Sequence, residues 1–367
     1  VNYASRTADQ SPLVMDQRQQ LMHAWLGTIL DGAYTRFESA SADASFRRYF
    51  RAYASPSAKI NGLSPTPQSI IVMDAPPDKE PLDTFIRCTQ LLQSQNIHAP
   101  RIYAHDPGQG FLALEDLGGQ DYLGALKDNS EDLYSDAINA LIELQLGALQ
   151  NDSALLPPYS AEKLDSEMQL FEEWYIERHL QQKLTTEQHS IWAALKADLI
   201  VVCLEQPQVW VHRDFHSRNL MVVSGTAVPG TAVPGTNPGV IDYQDMVIGP
   251  ISYDLASLFK DCYIEWPRER QLNWLNQYYT QLINTLADRG FSERLSDFSF
   301  EQLVRWYDLV GLQRHLKVLG IFCRLNYRDN KSQYLNDLPL VKRYVNQVLP
   351  FYTESDDFSQ AFSQWLN

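Results

Sequence analysis

One short segment limits what this chain can be more than any other feature does. Residues 212–219 read His-Arg-Asp-Phe-His-Ser-Arg-Asn, and a later apolar stretch ends at Asp242. Asp214 and Asn219 are five positions apart, a spacing at which one loop can present both side chains to one point. Two carboxylates and an amide offer the oxygen ligands that Mg²⁺ prefers. The segment therefore predicts a polar site held at the ends of short strands, the first of them at Leu220–Val223.

The pattern H-R-D-x-x-x-x-N, followed by two apolar residues and Asp, resembles the catalytic loop of enzymes with the protein-kinase-like fold. The resemblance implies that Asp214 accepts the proton of the attacking hydroxyl group. It also implies that Asn219 and Asp242 hold Mg²⁺ against the phosphates of ATP. His216 and Arg218 are candidates for contacts with the γ-phosphate or the acceptor. The alternatives are that His216 only packs the loop and that Arg218 only pairs with an acid.

The segment after Asp242 narrows the resemblance. Residues 241–256 are similar to the I-D-W-x-x-x-x-x-G-x-x-x-x-D-L-A signature of aminoglycoside phosphotransferase-like and choline kinase-like small-molecule kinases. Tyr243-Gln244 stands where protein kinases have Phe-Gly. The resemblance implies a structural role for Asp254, bonding the backbone of the catalytic loop from the start of a helix, and we assign His212 a structural role as well. A carboxylate stabilised by the helix dipole is the simpler interpretation of Asp254.

The order of predicted elements points to the same architecture. Five short strands with one helix after the third precede a long helical region, which is the small-lobe order of the kinase fold. We expect an α+β, bilobal protein-kinase-like fold, with a small five-stranded antiparallel N-lobe that contains one helix and a larger, mostly helical C-lobe. The expected parts are a frayed tail at residues 1–20, a nucleotide-binding N-lobe at 21–116, and a C-lobe at 117–367 with a loop insertion at 224–239.

The insertion contains Gly-Thr-Ala-Val-Pro twice in succession, at residues 225–234. We interpret it as an expanded hairpin loop, because loop-closure entropy grows slowly with length. A functional lid is the alternative.

Composition excludes several classes of protein. The net charge is −15, which argues against binding to nucleic acid or to an anionic membrane. No apolar run is long enough to span a bilayer. The four cysteines are widely separated, so neither a zinc site nor a disulfide framework is indicated. We expect a cytoplasmic, monomeric enzyme that acts on a small molecule.

The nucleotide-binding end departs from the kinase pattern. The segment that matches the phosphate-covering loop, residues 41–51, contains no glycine, and the Ser45 hydroxyl is its candidate donor. The strand that should end in a phosphate-binding Lys has Met73 there. We expect one of Arg47, Arg48 and Arg51 to replace it; strand alternation places Arg48 on the face opposite the other two.

Residues 114–117 are expected to form the hinge that contacts adenine through its backbone. Glu115 and Leu117 are the candidate residues there, and Glu115 and Asp116 could also reach the ribose. Simple solvation at the mouth of the cleft is the competing interpretation.

A closer resemblance runs through residues 44–51, 72–77, 111–118, 170–175 and 313–322. These segments are similar to the bacterial anomeric N-acetylmuramate/N-acetylglucosamine kinases of peptidoglycan recycling. The resemblance implies ATP-dependent phosphorylation of the sugar C1 hydroxyl to the α-1-phosphate. Ala42, where glycine is usual, and the repeated insertion depart from the pattern.

Two helices supply the candidate acceptor site. Arg314 and Lys317 lie on one stripe of a late helix and could bind the carboxylate of N-acetylmuramate, unless the stripe is only a solvated face. Glu167 and Trp174 lie on one face of an earlier predicted helix, residues 166–180, and could line the sugar, although a core face explains the aromatic residue as well.

Two other functions remain open at this level. A kinase of aminoglycosides, choline or another small alcohol has the same catalytic set. A nucleotide-binding pseudokinase is suggested by Met73 in the lysine position.

Overall fold

The computed structural model divides into two compact units, one formed by Val1–Asp83 with Arg101–Asp116 and the other by Thr84–Pro100 with Leu117–Asn367. The structure describes residues 16–31, 34–41, 46–55, 59–60, 67–151, 155–223, 237–295, 297–352 and 356–366.

A five-stranded antiparallel sheet forms the centre of the first unit, as predicted. The strands are β2 (Tyr34–Ser41), β3 (Arg48–Ala54), β5 (Ser69–Asp74), β6 (Ile102–Asp106) and β7 (Phe111–Glu115), and a separate short pair is formed by β1 (Leu30–Asp31) and β4 (Lys59–Ile60). The order of the strands in the five-stranded sheet is β2-β3-β5-β7-β6. Successive side chains of each strand point to opposite faces of the sheet.

One face of this sheet is covered by helix α1 (Gln17–Ile29). Its buried residues Met22, Trp25 and Leu26 belong to one apolar cluster with alternate residues of the strands, among them Phe50 and Val72. Asp16 caps the helix by accepting the Gln19 N–H, and the Gln19 side chain accepts the Asp16 N–H. The expectation of a frayed tail to residue 20 is therefore wrong for Gln17 onward, while residues 1–15 lie outside the described part.

The second unit is mostly helical. Helix α2, placed in the N-lobe by the sequence, makes contacts in this unit, where the Thr89 and Tyr243 hydroxyls lie 2.8 Å apart. The domain limits drawn from the sequence stay a prediction. The helices are α2 (Leu82–Ser94), α3 (Tyr122–Ala125), α4 (Ser130–Gln150), α5 (Ala161–Leu170), α6 (Thr186–Glu205), α7 (Tyr253–Phe259), α8 (Arg268–Asp288), α9 (Ser292–Leu295), α10 (Phe300–Asp329), α11 (Leu338–Val348) and α12 (Asp356–Leu366).

Four short strands surround the loop at residues 212–219. β8 (Gln208–Val211) pairs with β11 (Val247–Pro250), and β9 (Leu220–Met221) pairs with β10 (Gly239–Val240). The loop thus leaves the end of β8 and enters β9. The predicted hairpin is present, but β10 occupies the end of the predicted 224–239 insertion, and the repeated sequence lies outside the described residues.

The predicted helix at residues 166–180 is two different helices. α5 ends at Leu170, and Phe171–His179 forms a π-helix. α10 packs against this junction at Gly320, where an added Cβ atom would lie 2.2 Å from the Leu170 carbonyl oxygen. A residue without a side chain at position 320 therefore lets the two helices approach this closely.

Among the described residues, none of the helices combines the length and the apolar character needed to cross a bilayer.

Candidate active site

Asp254 fixes the beginning of the loop that carries Asp214. Its two carboxylate oxygens accept the backbone N–H groups of His212 at 2.6 Å and Arg213 at 3.0 Å. Arg213 has φ +79°, a backbone conformation that non-glycine residues seldom adopt unless their surroundings hold them. Burial raises the pKa of Asp254 to about 7 against the effect of these two hydrogen bonds.

A second buried carboxylate holds the middle of the loop. Asp261, just after α7, accepts the Ser217 N–H at 2.9 Å and also the Ser217 hydroxyl. Its other oxygen accepts the Tyr263 N–H at 3.0 Å. Sequence reasoning missed Asp261, because nothing in the local pattern distinguishes it from a surface acid.

The His212 side chain ties the loop to the strand before Asp242. Its Nδ1 accepts the Asp214 N–H at 3.3 Å, and its Nε2 lies 3.1 Å from the Ile241 carbonyl oxygen. Burial lowers the pKa of His212 to about 4, so the ring is neutral at pH 7 and donates from Nε2. His212 and Asp254 thus both bond to loop backbone.

The Asn219 side chain links the backbone of Asp214 to the carboxylate of Asp242. The Asn219 Nδ2 donates to the Asp214 carbonyl oxygen at 3.0 Å and lies 3.4 Å from Asp242 Oδ2. Burial opposes ionisation of Asp214, but the charges of His216, Lys317 and Arg314 hold its pKa below the ordinary value. Asp214 is therefore ionised at neutral pH and can accept a proton.

The donor set at this place fits a hard divalent cation. Because Asn219 donates from Nδ2, its Oδ1 is the atom that a metal ion would meet. Gln244 Nε2 donates to Asp242 Oδ1 at 2.9 Å, which orients that carboxylate. The buried Gln244 Oε1 has no hydrogen-bond partner among the described residues, so an oxygen atom already removed from solvent remains available beside Asp242.

His216 and Arg218 face an aromatic ring. The Arg218 guanidinium lies 3.6 Å from the centroid of the Tyr263 ring, and the His216 ring meets the same ring edge-on at 5.4 Å. The buried His216 Nδ1 has no partner in the described part of the chain. Burial lowers the pKa of His216. Arg218 therefore contacts an aromatic ring, and its charge also acts on the Asp337 carboxylate.

The candidate acceptor residues do not form one surface. Glu167 is buried and pairs with Lys317 at 2.7 Å and with Arg213 at 2.5 Å. The Tyr159 hydroxyl donates to the same carboxylate. Trp174 is half-buried in the π-helix. The prediction that Glu167 and Trp174 share one face assumed a continuous α-helix. A π-helix has more residues in each turn, so the direction of the Trp174 side chain relative to Glu167 differs from that prediction.

The alternative that the α10 stripe is only a solvated face is wrong for Arg314 and Lys317, because both side chains are buried. Arg314 is 4% and Lys317 7% exposed. Arg314 Nη1 donates to Cys262 Sγ at 3.4 Å, and none of the described carboxylates forms an ion pair with it. Lys317, in contrast, forms an ion pair with Glu167 and also donates to the Tyr253 hydroxyl at 3.1 Å.

The three arginines proposed to replace the missing lysine all pair with carboxylates of the first unit. Arg48 lies on the face that α1 covers, where Asp74 accepts bonds from it at 2.5 and 3.0 Å and also pairs with Arg18. Arg51 makes a two-bond pair with Asp116 at 2.7 and 2.9 Å.

Arg47 pairs with Glu80 at 2.7 Å. Met73 is fully buried on the face of the sheet that also carries Arg51.

Two of the remaining nucleotide candidates, Glu115 and Leu117, belong to different units. Glu115 accepts the Arg101 N–H at 3.2 Å in the first unit. Leu117 belongs to the second unit, where its side chain lies against Gly239. Ser45 lies outside the described residues.

Comparisons with known proteins agree with this chemistry. Residues 36–291 match the phosphotransferase enzyme family. A Pseudomonas putida protein named N-acetylmuramate/N-acetylglucosamine kinase is 41% identical over 328 residues, covering 89% of this chain and 86% of that protein. A protein of the same name from Pseudomonas aeruginosa is 38% identical over 345 residues, covering 91% and 93% of the two chains.

Solved structures with little sequence identity share the fold. An ethanolamine kinase of Plasmodium vivax matches with a TM-score of 0.59 at 13% identity, covering 89% of this chain and 84% of its own. The GDP complex of wild-type aminoglycoside 2'-phosphotransferase-IIIa matches with a TM-score of 0.56 at 12% identity, covering 90% and 98%. The predicted protein-kinase-like α+β fold is confirmed.

Proposed function

The chain belongs to the phosphotransferase enzyme family, among relatives named N-acetylmuramate/N-acetylglucosamine kinase, and from that premise we propose that it phosphorylates the anomeric C1 hydroxyl of these two sugars with ATP. The product is the α-1-phosphate, and the reaction is a step in the recycling of peptidoglycan sugars. The chain is a small-molecule kinase by family. The observation that carries this proposal is that Asn219, in a chain of this family, bonds to the backbone of Asp214 and lies beside the carboxylate of Asp242.

Asp214 is the group that meets the acceptor hydroxyl. An anomeric hydroxyl is more acidic than an ordinary alcohol, so Asp214 needs to orient it and accept its proton late in the transfer. The low pKa of Asp214 suits this role, because a weak base that stays ionised can hold the hydroxyl hydrogen without removing it early.

Asn219 and Asp242 would hold the divalent cation, which we propose to be Mg²⁺. When bound, the cation neutralises charge on the phosphates of ATP. Gln244 keeps one oxygen of Asp242 occupied, so the other remains directed toward Asn219. His216 and Arg218 stay candidates for contacts with the transferred phosphoryl group.

The nucleotide phosphates require a cation in place of the missing lysine. We favour Arg51 and Arg47 over Arg48, because Arg48 lies on the face covered by α1 and is shared between Asp74 and Asp16. Arg51 would exchange part of its pair with Asp116 for phosphate oxygens. Ser45, Glu115 and Leu117 remain proposed nucleotide contacts.

For the acceptor, Arg314 is the proposed partner of the N-acetylmuramate carboxylate. It is a buried guanidinium that has a thiol but no carboxylate as an ion-pair partner within the described residues. A buried cation that has no ion-pair partner is strongly stabilised when an anion binds beside it. Lys317 and Glu167 are weaker candidates, since they satisfy each other. Trp174 is retained as a proposed sugar contact because part of its side chain is exposed.

A panel assay of ADP release tests the proposal. The acceptors are N-acetylmuramate, N-acetylglucosamine, kanamycin and choline, each at the same ATP and Mg²⁺ concentrations. We expect turnover with the two sugars. Turnover only with kanamycin or choline would replace the sugar proposal with the small-alcohol alternative, and tight ATP binding without any turnover would support the pseudokinase.

A further inference from the structure

Arg213, the residue before Asp214, is held in an unfavourable conformation by contacts at both of its ends. Its φ of +79° is seldom adopted by a residue with a side chain. The backbone N–H is bonded to Asp254 at 3.0 Å. The guanidinium is bonded to Glu167 at 2.5 Å and lies 3.4 Å from the Asp245 carbonyl oxygen. The orientation of the next residue, Asp214, depends on this arrangement.

Glu167 is fully committed to partners inside the protein. It lies on α5, is 5% exposed, and joins Arg213 and Lys317 through one carboxylate. The Tyr159 hydroxyl donates to Oε2, the oxygen that Lys317 also contacts, and Lys163 Nζ lies 3.8 Å from Oε1. Burial opposes ionisation, but Lys317 and Arg213 keep the pKa of Glu167 below its ordinary value. These contacts leave the carboxylate little capacity to bind a sugar hydroxyl, contrary to the sequence-based assignment of Glu167 to the acceptor site.

Removal of the Glu167 carboxylate would leave the buried cations Arg213 and Lys317 without this anionic partner. Arg213 and Lys317 both act electrostatically on Asp214, which is the carboxylate adjacent to Arg213 in the chain. A buried cation without its partner is strongly destabilised and moves toward another anion. Without Glu167, the anion at hand is the catalytic one.

We infer that Glu167 is a positioning residue for the phosphoryl transfer: it holds Arg213 in its strained conformation and pairs with both Arg213 and Lys317, so that neither cation pairs with Asp214. The inference rests on the proposed role of Asp214 as the group that orients the acceptor. Because its carboxylate is already bonded to Arg213, Lys317 and Tyr159, Glu167 should affect kcat and not the binding of substrates.

Glu167→Gln tests this role, because the amide keeps the shape and removes the charge. We expect kcat to fall by about tenfold or more, with the sugar KM and the ATP Kd changed by less than about twofold. The matched control is Glu172→Gln. Glu172 is also a buried carboxylate, 8% exposed, but it bonds to Gln169 and His189 instead of the catalytic loop. The control should keep the parent's kcat.

The combination with Arg213→Met separates positioning from general damage. If Glu167 acts through Arg213, the double variant has a kcat no lower than that of the worse single variant, since effects through one pair do not multiply. Multiplied losses, or a raised sugar KM at unchanged kcat, would overturn the inference. Should Glu167→Gln fail to fold, Glu167→Asp keeps the charge with a shorter reach and should show the same kcat loss in smaller measure.

Hydrogen exchange supplies a readout that needs no turnover. Amides of residues 212–217 should exchange faster in Glu167→Gln than in the parent and in Glu172→Gln. This outcome would support positioning even if no sugar is phosphorylated, in which case only the proposed function fails. Unchanged exchange in the loop would overturn the positioning role.

Discussion

Gly320→Ala is the substitution that connects the packing of the second unit to its chemistry most directly. An added Cβ would lie 2.2 Å from the Leu170 carbonyl oxygen, 2.3 Å from its carbon and 2.7 Å from the Phe171 nitrogen, whereas ordinary contact begins at 3.4 Å. All three atoms belong to backbone and cannot rotate away. The junction of α5 and the π-helix must therefore move away from α10 by about 1 Å, a displacement typical of overpacked cores.

Two opposing terms set the magnitude. Alanine is favoured over glycine inside a helix by about 1 kcal/mol. Overpacking costs about 1–3 kcal/mol and more where backbone must shift. We expect Gly320→Ala to lose about 2 kcal/mol of unfolding free energy in total. Gly27→Ala is the control, because Gly27 also lies inside a helix but nothing approaches its added Cβ within 4 Å; it should gain about 0.5–1 kcal/mol.

The same displacement reaches the active site. Lys317 is three positions before Gly320 on α10, and Glu167 is three positions before Leu170 on α5, and the two side chains pair at 2.7 Å. Separating the helices lengthens this pair, so kcat should fall in Gly320→Ala and stay unchanged in Gly27→Ala. Urea unfolding followed by circular dichroism, together with steady-state kinetics, makes both measurements. A Gly320→Ala variant as stable and as active as Gly27→Ala would refute the close packing of these helices.

Four further outcomes are expected. Asp214→Asn should lower kcat by about 10² or more at unchanged ATP affinity, as for a lost positioned base; near-normal turnover would remove Asp214 from the mechanism. Asn219→Ala and Asp242→Ala should raise the Mg²⁺ concentration needed for half-maximal rate, and an identical titration would argue against their role as ligands. Arg51→Ala should weaken ATP binding by about ten- to a hundredfold while sparing adenosine, since a charge-assisted contact is worth about 1.5–3 kcal/mol; equal affinity for ATP in parent and variant would place the substitute cation elsewhere. Burial lowers the pKa of His315 from 6.5 to about 3, so as the pH falls below 6.5 a proton binds to His315 in the unfolded chain but not in the folded one. The free energy of unfolding should therefore be about 2 kcal/mol lower at pH 5 than at pH 8 through this residue. His315→Gln should reduce the pH dependence of urea unfolding, and an unchanged pH dependence would exclude this role of His315.

Local patterns in the sequence were sufficient to predict the five-stranded sheet and the loop at residues 212–219. Strand β5 is a short apolar run between two polar residues, a pattern that is typical of a buried strand. The spacing of Asp214 and Asn219 is preserved in the loop between β8 and β9. Helix α1 was missed although Met22, Trp25 and Leu26 follow helical periodicity, because the flanking glutamines gave the segment the appearance of a polar tail.

Contacts between residues that are far apart in the chain could not be predicted from the sequence. Glu167 and Arg213 are 46 positions apart, and Ser217 and Asp261 are 44 positions apart. No local pattern connects either pair. The π-helix was also unpredictable, since periodicity is judged against α-helical turns, and its presence separated Trp174 from the face assigned to it.

The central claim is that the anomeric hydroxyl receives the phosphoryl group, and blocking that hydroxyl tests it most directly. The measurement compares ³¹P spectra of reactions containing N-acetylglucosamine or its α-methyl glycoside, which has every hydroxyl except that at C1. We expect a new phosphate resonance coupled to the anomeric proton with the free sugar and no phosphorylated product with the glycoside. Phosphorylation of the glycoside at a rate comparable to that of the free sugar would contradict transfer to C1.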